Sequence, residues 1–213
     1  MNKGLFITFE GGEGAGKSTQ IKLLADKLEA QGRHVVLTHE PGGTPGAYLI
    51  RENLVKGEGA QWDKETETLL FFAARRDHIV KKIRPALEQG AVVLCDRFAD
   101  STMAYQGYGR GRNDALIDMI RHLYRLVAGD LQPHTTFILD IDPALGLRRS
   151  CARKGNNETR FENMDIAFHQ NLRAGFLEIA RNDPGRCVVI DANRSVAEIH
   201  QDIWDKMQER RIC

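Results

Sequence analysis

Five short apolar runs punctuate the chain: Leu5–Phe9 (LFITF), Val35–Thr38 (VVLT), Ala91–Cys95 (AVVLC), Thr136–Ile141 (TFILDI) and Cys187–Asp191 (CVVID). None alternates apolar with polar positions. That continuity predicts strands covered on both faces, as in a parallel sheet between helical layers. The intervals carry a different period. Ile21, Leu24, Ala25 and Leu28 recur at helical spacing, and Gly32 supplies a stop. Thr66 to Ile83 predicts a long helix, after which Pro85 opens a fresh turn leading to Gly90. Ala115–Val127, Met164–Ala180 and Val196–Gln208 complete the helices. One stretch breaks the pattern: Arg148–Glu162 (RRSCARKGNNETRFE) is polar and basic, which suits a mobile flap better than core. Strands and helices in alternation define an α/β fold, doubly wound about a parallel sheet, with ligands at the carboxyl ends of the strands.

Composition narrows the class. The 213 residues suit one domain, 1–213, rather than two. Lys+Arg 30 against Asp+Glu 29 leaves a net charge of +1, so no global basic field points to a nucleic-acid partner. Cys95, Cys151, Cys187 and Cys213 are scattered without a CxxC pair, as reduced thiols of a cytoplasmic protein would be. The first residues meet glycine and glutamate too early for a secretory signal. No apolar run approaches the ~20 residues of a membrane span. A cytoplasmic protein with no membrane partner is therefore expected.

The chemistry starts at Gly11. With Gly16-Lys17-Ser18 it matches G-x-x-x-x-G-K-[ST], between a predicted strand and a predicted helix. Gly12, Glu13, Gly14 and Ala15 fill the loop, and Thr19 follows it. Backbone N–H groups of such a loop turn inward around phosphate oxygens, and the helix behind presents its positive end. Lys17 would bridge the β- and γ-phosphates, and the Ser18 hydroxyl would ligate Mg²⁺. A Rossmann loop fits worse, because Lys17 stands where the third glycine would fall. The loop alone leaves a GTPase, an ATP-driven machine and a small-molecule kinase open. A guanine-reading N-K-x-D is absent, and the length leaves little room for the modules of a motor.

Other segments carry comparable chemistry. Asp96 ends a buried strand, where a carboxylate orients Mg²⁺-bound water, and Arg97 beside it would reach a second anion. An Asp-Arg pair at a strand end is also often only a loop salt bridge. Phe71 and Arg75 are i, i+4 neighbours on one helical face, a plate and a donor suited to a base. Taken alone, Phe71 and Phe72 read more readily as core.

Together FEGGEGAGKST, EPGGT, LLFFAARRDHI, DRFADSTMAYQG and the basic flap resemble the thymidylate kinase family, in the expected order from Leu5 to about Asp191. The resemblance implies the P-loop nucleoside monophosphate kinase fold, with a five-stranded parallel sheet flanked by helices, a phosphate loop at 11–18 and a lid at about 148–162. It implies transfer of the γ-phosphoryl group of ATP to dTMP with Mg²⁺, in a homodimer. A kinase for another nucleoside monophosphate or a deoxynucleoside, or a non-catalytic nucleotide-binding switch, are the alternatives. By position, Phe71 matches the thymine-stacking residue and Arg75 the one bonding a thymine carbonyl. Arg51 and Arg97 match arginines on the dTMP phosphate. Ser101 and Thr102 fall where the pyrimidine edge is read, Tyr105 packs on the sugar, and Gln106 is a further thymine-side candidate. Glu13 falls near the acceptor's 3′-hydroxyl. Asp191 and Ala192 precede the loop that approaches adenine. The phosphate loop lacks the arginine some relatives carry there, so the resemblance is to the group whose lid supplies the catalytic cation. Arg149, Arg153 and Arg160 are its candidates, Arg153 foremost.

Overall fold

Along β1 (Leu5–Glu10) successive side chains enter two different cores. Ile7 and Phe9 join one cluster, with Leu24 and Leu28 of α1 (Lys17–Ala30) and Ile203 and Trp204 of α9 (Val196–Glu209). Phe6 joins the other, with Ile79, Ile83 and Phe98. Both faces of the strand are thus covered, which is why its sequence shows no alternation. The computed structural model describes residues 4–55, 62–152, 160–210 and 212. Among these, β1, β2 (Val35–His39), β3 (Val92–Asp96), β4 (Thr135–Asp140) and β5 (Cys187–Asp191) form one sheet of order β2-β3-β1-β4-β5. Every neighbouring pair is parallel. The three inner strands are almost wholly buried, whereas the edge strands expose Leu37 and Val189. All five expected strands are present, with ends moved by one residue at most.

The remaining helices are α2 (Pro45–Val55), α3 (Lys64–His78), α4 (Arg84–Glu88), α5 (Ala99–Thr102), α6 (Asp114–Ala128), α7 (Pro143–Cys151) and α8 (Ile166–Asn182). Side-chain caps start several of them. Asn113, Asp142 and Asp165 each accept a backbone N–H three residues on, and Ser195 forms a capping box with Glu198.

Three expectations change. Pro85 does not open a separate turn: a π-helical stretch, Ile79–Ile83, carries α3 directly into α4 and absorbs the proline at the new helix's first turn. Helices α2 and α5 go unread by apolar periodicity, since α2 buries only Ala47, Leu54 and Val55 and α5 is a single turn. A second π-helical stretch, Met103–Gly109, continues α5 and carries Tyr105 and Gln106. Finally, the segment 148–162 begins inside α7 and ends with Arg160 buried. Residues 153–159, Arg153 among them, lie outside the described residues.

Candidate active site

The strand order reverses beside β1. Successive connections leave its carboxyl end and that of β3 side by side, with Phe9 level with Asp96. A crevice opens at such a switch point, and the loops after both strands line it.

The loop after β1 runs into the amino end of α1 through Gly16, whose φ of 90° is left-handed. Gly14 also has a positive φ, 65°, and a side chain there would fall on the Gly146 carbonyl of α7. The loop is thereby wedged against α7, and only glycine permits the approach. Lys17 is buried, and its Nζ donates to the carbonyls of Gly11 and Gly12 at 3.0 Å each. Burial, then the nearby Arg97, pulls the Lys17 ammonium down to about 8 despite Asp96 and Glu13. Ser18 Oγ donates to Asp96 Oδ2 at 2.8 Å. Residues 13–19 with Asp96, Arg97 and Glu162 enclose a cavity of about 160 Å³.

Arg97 has the only positive φ, 66°, among described non-glycine residues. A left-handed arginine is a strained one, and here the strain is held by a dense set of bonds. Its N–H donates to Phe9 O at 2.9 Å. Nη1 donates to Gly11 O at 3.0 Å and Ser101 Oγ at 3.1 Å, and Nη2 to Glu13 Oε1 at 3.0 Å. Tyr105 Oη donates to the same Glu13 oxygen at 2.5 Å, and the guanidinium lies 5.0 Å from the Tyr105 ring centre. Burial would raise the Glu13 carboxyl, but Arg97, then Lys17 and the Tyr105 hydroxyl, hold it down at about 2. Glu13 is therefore a fixed anion facing the crevice. It forms an ion pair with Arg97 rather than opposing the phosphate loop.

Beneath Arg97 sits Glu10, fully buried at the end of β1. It accepts from Phe98 N at 2.7 Å and Ser101 Oγ at 2.5 Å, fastening α5 to the sheet. Burial, then Asp100, pushes its carboxyl up to about 7. Nothing in its neighbours, Phe9 and Gly11, marks this glutamate as a buried brace, because its partners come from the segment after β3.

A second cavity, of about 150 Å³, is lined by Arg51, Phe71, Arg75, Ser101, Thr102, Tyr105 and Gln106, together with Glu13 and Arg97. The two aromatic neighbours on α3 part company. Phe72 is core, packed with Leu116 and Ile120, while Phe71 lines the cavity. Arg51 Nη1 donates to Pro41 O at 2.5 Å. The hydroxyls of Ser101 and Thr102 are spent on Glu10 and on Arg75 Nη2 (2.9 Å), so both residues brace the wall. Glu40, Pro41, Val55, Phe98, Phe161 and Glu162 also line this cavity and escaped the sequence reading. For Glu40 and Pro41 the signal was there, in EPGGT.

The flap arginines divide. Arg149 Nη1 donates to Ala192 O at 3.0 Å, tying α7 to the end of β5, where Asp191 bonds Asn193. Arg160 reaches the other way, from Nη1 to Leu54 O and from Nη2 to Glu67 Oε2, both at 2.6 Å. Glu67 also accepts from Gln106 Nε2 at 2.9 Å. Arg160, read from sequence as a candidate for the lid cation, is thus a buried strut between α2, α3 and the cavity wall. Breaking this pair leaves an uncompensated buried charge, so Glu67→Ala is expected to cost about 3–5 kcal/mol in urea unfolding. A loss under 1 kcal/mol would contradict the strut.

A phosphate loop, a second pocket that joins it through shared walls, and this strand order define a P-loop nucleoside monophosphate kinase. Residues 9–203 match the family model described as thymidylate kinase. The chain is 55% identical over 210 residues to the thymidylate kinase of Caulobacter vibrioides, covering 99% of each. It is 49% identical over 208 residues to that of Magnetococcus marinus, covering 98% of this chain and 97% of the relative. The crystal structure of thymidylate kinase from Ehrlichia chaffeensis is similar at a TM-score of 0.76 and 40% identity, over 97% of this chain and 99% of that one. The chain belongs to the thymidylate kinase family.

Proposed function

We propose that the protein transfers the γ-phosphoryl group of ATP to dTMP, giving ADP and dTDP. The observation that carries this reading is the shared wall: Glu13, Arg97 and Glu162 line both cavities, so a donor and an acceptor phosphate would meet there. ATP phosphates sit in the loop of residues 11–18, on inward N–H groups and Lys17. The thymine lies against Phe71 and Arg75, the sugar against Tyr105, and the 5′-phosphate is gripped by Arg97 and Arg51. A phosphate oxygen of dTMP attacks the γ-phosphorus in line, and the bond to the β–γ bridging oxygen breaks. No side chain needs to move a proton in this step. Positioning and charge neutralisation carry it, with Lys17 and Arg97 on the two phosphates and a lid arginine, Arg153 or Arg149, on the transferring group.

Ser18 directly, and Asp96 through water, would be hard oxygen donors to Mg²⁺ beside the loop, with phosphates and water completing its shell. Bound there with ATP, Mg²⁺ would neutralise charge on the β- and γ-phosphates. Glu13 accepts a hydrogen bond from the acceptor's 3′-hydroxyl in this reading. Asp191 and Ala192 remain the adenine-side candidates.

The protein is a single kinase domain in this proposal, cytoplasmic and homodimeric. Among the described residues no helix is long and apolar enough to cross a membrane. Helices α3 and α6 leave Leu69 and Leu126 exposed, the apolar surface that a second copy would cover. A nucleoside acceptor, the main rival, gives Arg97 no phosphate to hold.

The test is a coupled assay with Mg²⁺·ATP across dTMP, dUMP, UMP, CMP, AMP and GMP. dTMP is expected to lead. A methyl pocket is worth ~1–3 kcal/mol, so dUMP should trail by roughly 10- to 200-fold. A preference for any other acceptor, or ADP formation indifferent to dTMP, overturns the reading.

A further inference from the structure

Among the described residues, a buried donor in the wall of the acceptor pocket has no partner. Arg75 is 2% exposed, and of its three guanidinium nitrogens two are fully engaged. Nε donates to Glu40 Oε2 at 2.8 Å, and Nη2 donates to Phe98 O at 3.1 Å and Thr102 Oγ1 at 2.9 Å. Nη1 is buried with no partner in the protein. A buried N–H left unpaired is costly, so its persistence at a cavity wall marks the place of a ligand acceptor.

What aims that nitrogen lies behind it. Glu40 accepts from Arg75 with one oxygen, and its other oxygen meets His78 Nδ1 at 2.9 Å. His78, fully buried, meets Thr38 Oγ1 through Nε2 at 2.6 Å. An ionised carboxylate only accepts, so Nδ1 carries a proton and donates to Glu40. The chain Thr38–His78–Glu40–Arg75 runs from the end of β2 across the back of α3. Steric contact locks it further, since a side chain on Gly43 would collide with the His78 ring and with Thr38 Oγ1. The guanidinium itself is held between aromatic rings, 4.6 Å from the centre of Phe72 and 5.2 Å from that of Phe98. Bonds from Nε and Nη2 fix the plane of the group and stacking fixes its height, which leaves Nη1 a single direction.

We infer that Glu40 and His78 are positioning residues for acceptor binding: through Arg75 Nη1 they hold one donor rigidly toward an exocyclic carbonyl of the base. His78 lies behind the cavity wall, and Glu40, though part of that wall, spends both carboxylate oxygens on Arg75 and His78, so both act through Arg75. The inference rests on the proposed acceptor, a pyrimidine nucleoside monophosphate.

The test uses the full chain with Glu40→Gln, His78→Phe, His78→Gln and Thr38→Val, each in the parent and in an Arg75→Ala background. KM for dTMP, KM for ATP and kcat are measured. In the parent background Glu40→Gln and His78→Phe are expected to raise KM for dTMP by roughly ten- to a hundredfold, as misplaced positioning groups do. KM for ATP should move no more than about twofold, the pattern of lost acceptor binding alone. His78→Gln, which keeps a hydrogen-bonding group, should recover part of the loss. In the Arg75→Ala background the same changes should add nothing further to KM, the signature of coupled sites. A merely structural role predicts otherwise. Equal shifts in both KM values, or an undiminished loss in the Arg75→Ala background, would overturn the inference. Should Glu40→Gln fail to fold, Thr38→Val at the far end of the chain answers the same question, with thermal melts as the check. An unmodified protein inactive on dTMP would defeat the proposed function instead, and the same assay separates the two failures.

Discussion

Arg97→Ala is expected to lower kcat/KM for dTMP by about 10³, with ATP affinity within severalfold of the parent. The size follows from how many tasks one side chain performs. Its guanidinium lies on the wall between the two cavities and pairs with Glu13, with side-chain exposures of 17% and 19%. Removing it takes away the proposed ligand of the dTMP phosphate and also leaves Glu13 without the neighbour that most holds its carboxyl down at about 2. That depressed value means Glu13 contributes stability above its unfolded pKa, lost only as pH falls toward 2, so the loss from Arg97→Ala should be evident at neutral pH. Arg97→Lys keeps the charge but not the planar fork, and should recover little. The backbone supplies an internal control. At φ 66° alanine pays a left-handed penalty that glycine does not, so Arg97→Gly should be more stable than Arg97→Ala by about 1 kcal/mol and equally inactive. Parallel assays and urea melts decide it. An Arg97→Ala enzyme with an unaltered response to dTMP would remove Arg97 from the acceptor site.

Lys17→Met should divide activity from stability. Loss of the cation proposed to sit on the transferring phosphate is expected to lower kcat by about 10²–10³. The nucleotide-free protein should not lose stability to match, because its lysine is a buried charge bonded only to loop carbonyls. The folded pKa, about 8, lies below the ordinary 10.5, so between those values the unfolded chain binds more protons and stability rises with pH. Below pH 8 the ammonium burdens the empty fold. Methionine removes that burden and with it the rise. Phosphates reverse the imbalance by favouring the charged lysine, so ATP affinity should weaken above pH 8 by up to about tenfold per unit. Calorimetry in buffers of differing ionisation enthalpy should detect proton uptake near pH 8 in the parent and none in Lys17→Met. Uptake retained in the variant would assign the proton elsewhere.

These expectations draw unequally on sequence and structure. Every strand was legible: the inner three are covered on both faces and so read as short apolar runs, and the edge strands keep that run although Leu37 and Val189 are exposed. The phosphate loop was legible because its glycines, lysine and serine act at fixed local spacing. Helix α2 was not, since Leu54 and Val55 meet the core only where the tertiary packing brings them. Phe71 and Phe72 could not be told apart, since both are phenylalanines on one helix and only packing against Leu116 and Ile120 makes Phe72 core. Arg160 was grouped with the lid cations by its neighbours in sequence, yet Glu67, 93 residues away, binds it inside.

Glu10 and Glu40 show the division most clearly. Sequence by itself determined that this is a parallel α/β protein with a phosphate loop after its first strand, because period and local spacing are properties of the chain. Only the tertiary structure decided what its carboxylates do. Glu13 pairs with Arg97, Glu10 fastens α5 to the sheet, and Glu40 aims Arg75 through a network with His78 and Thr38. A buried charge takes its role from the partner that repays its desolvation, and in a doubly wound fold those partners arrive from strands and helices far apart in the chain.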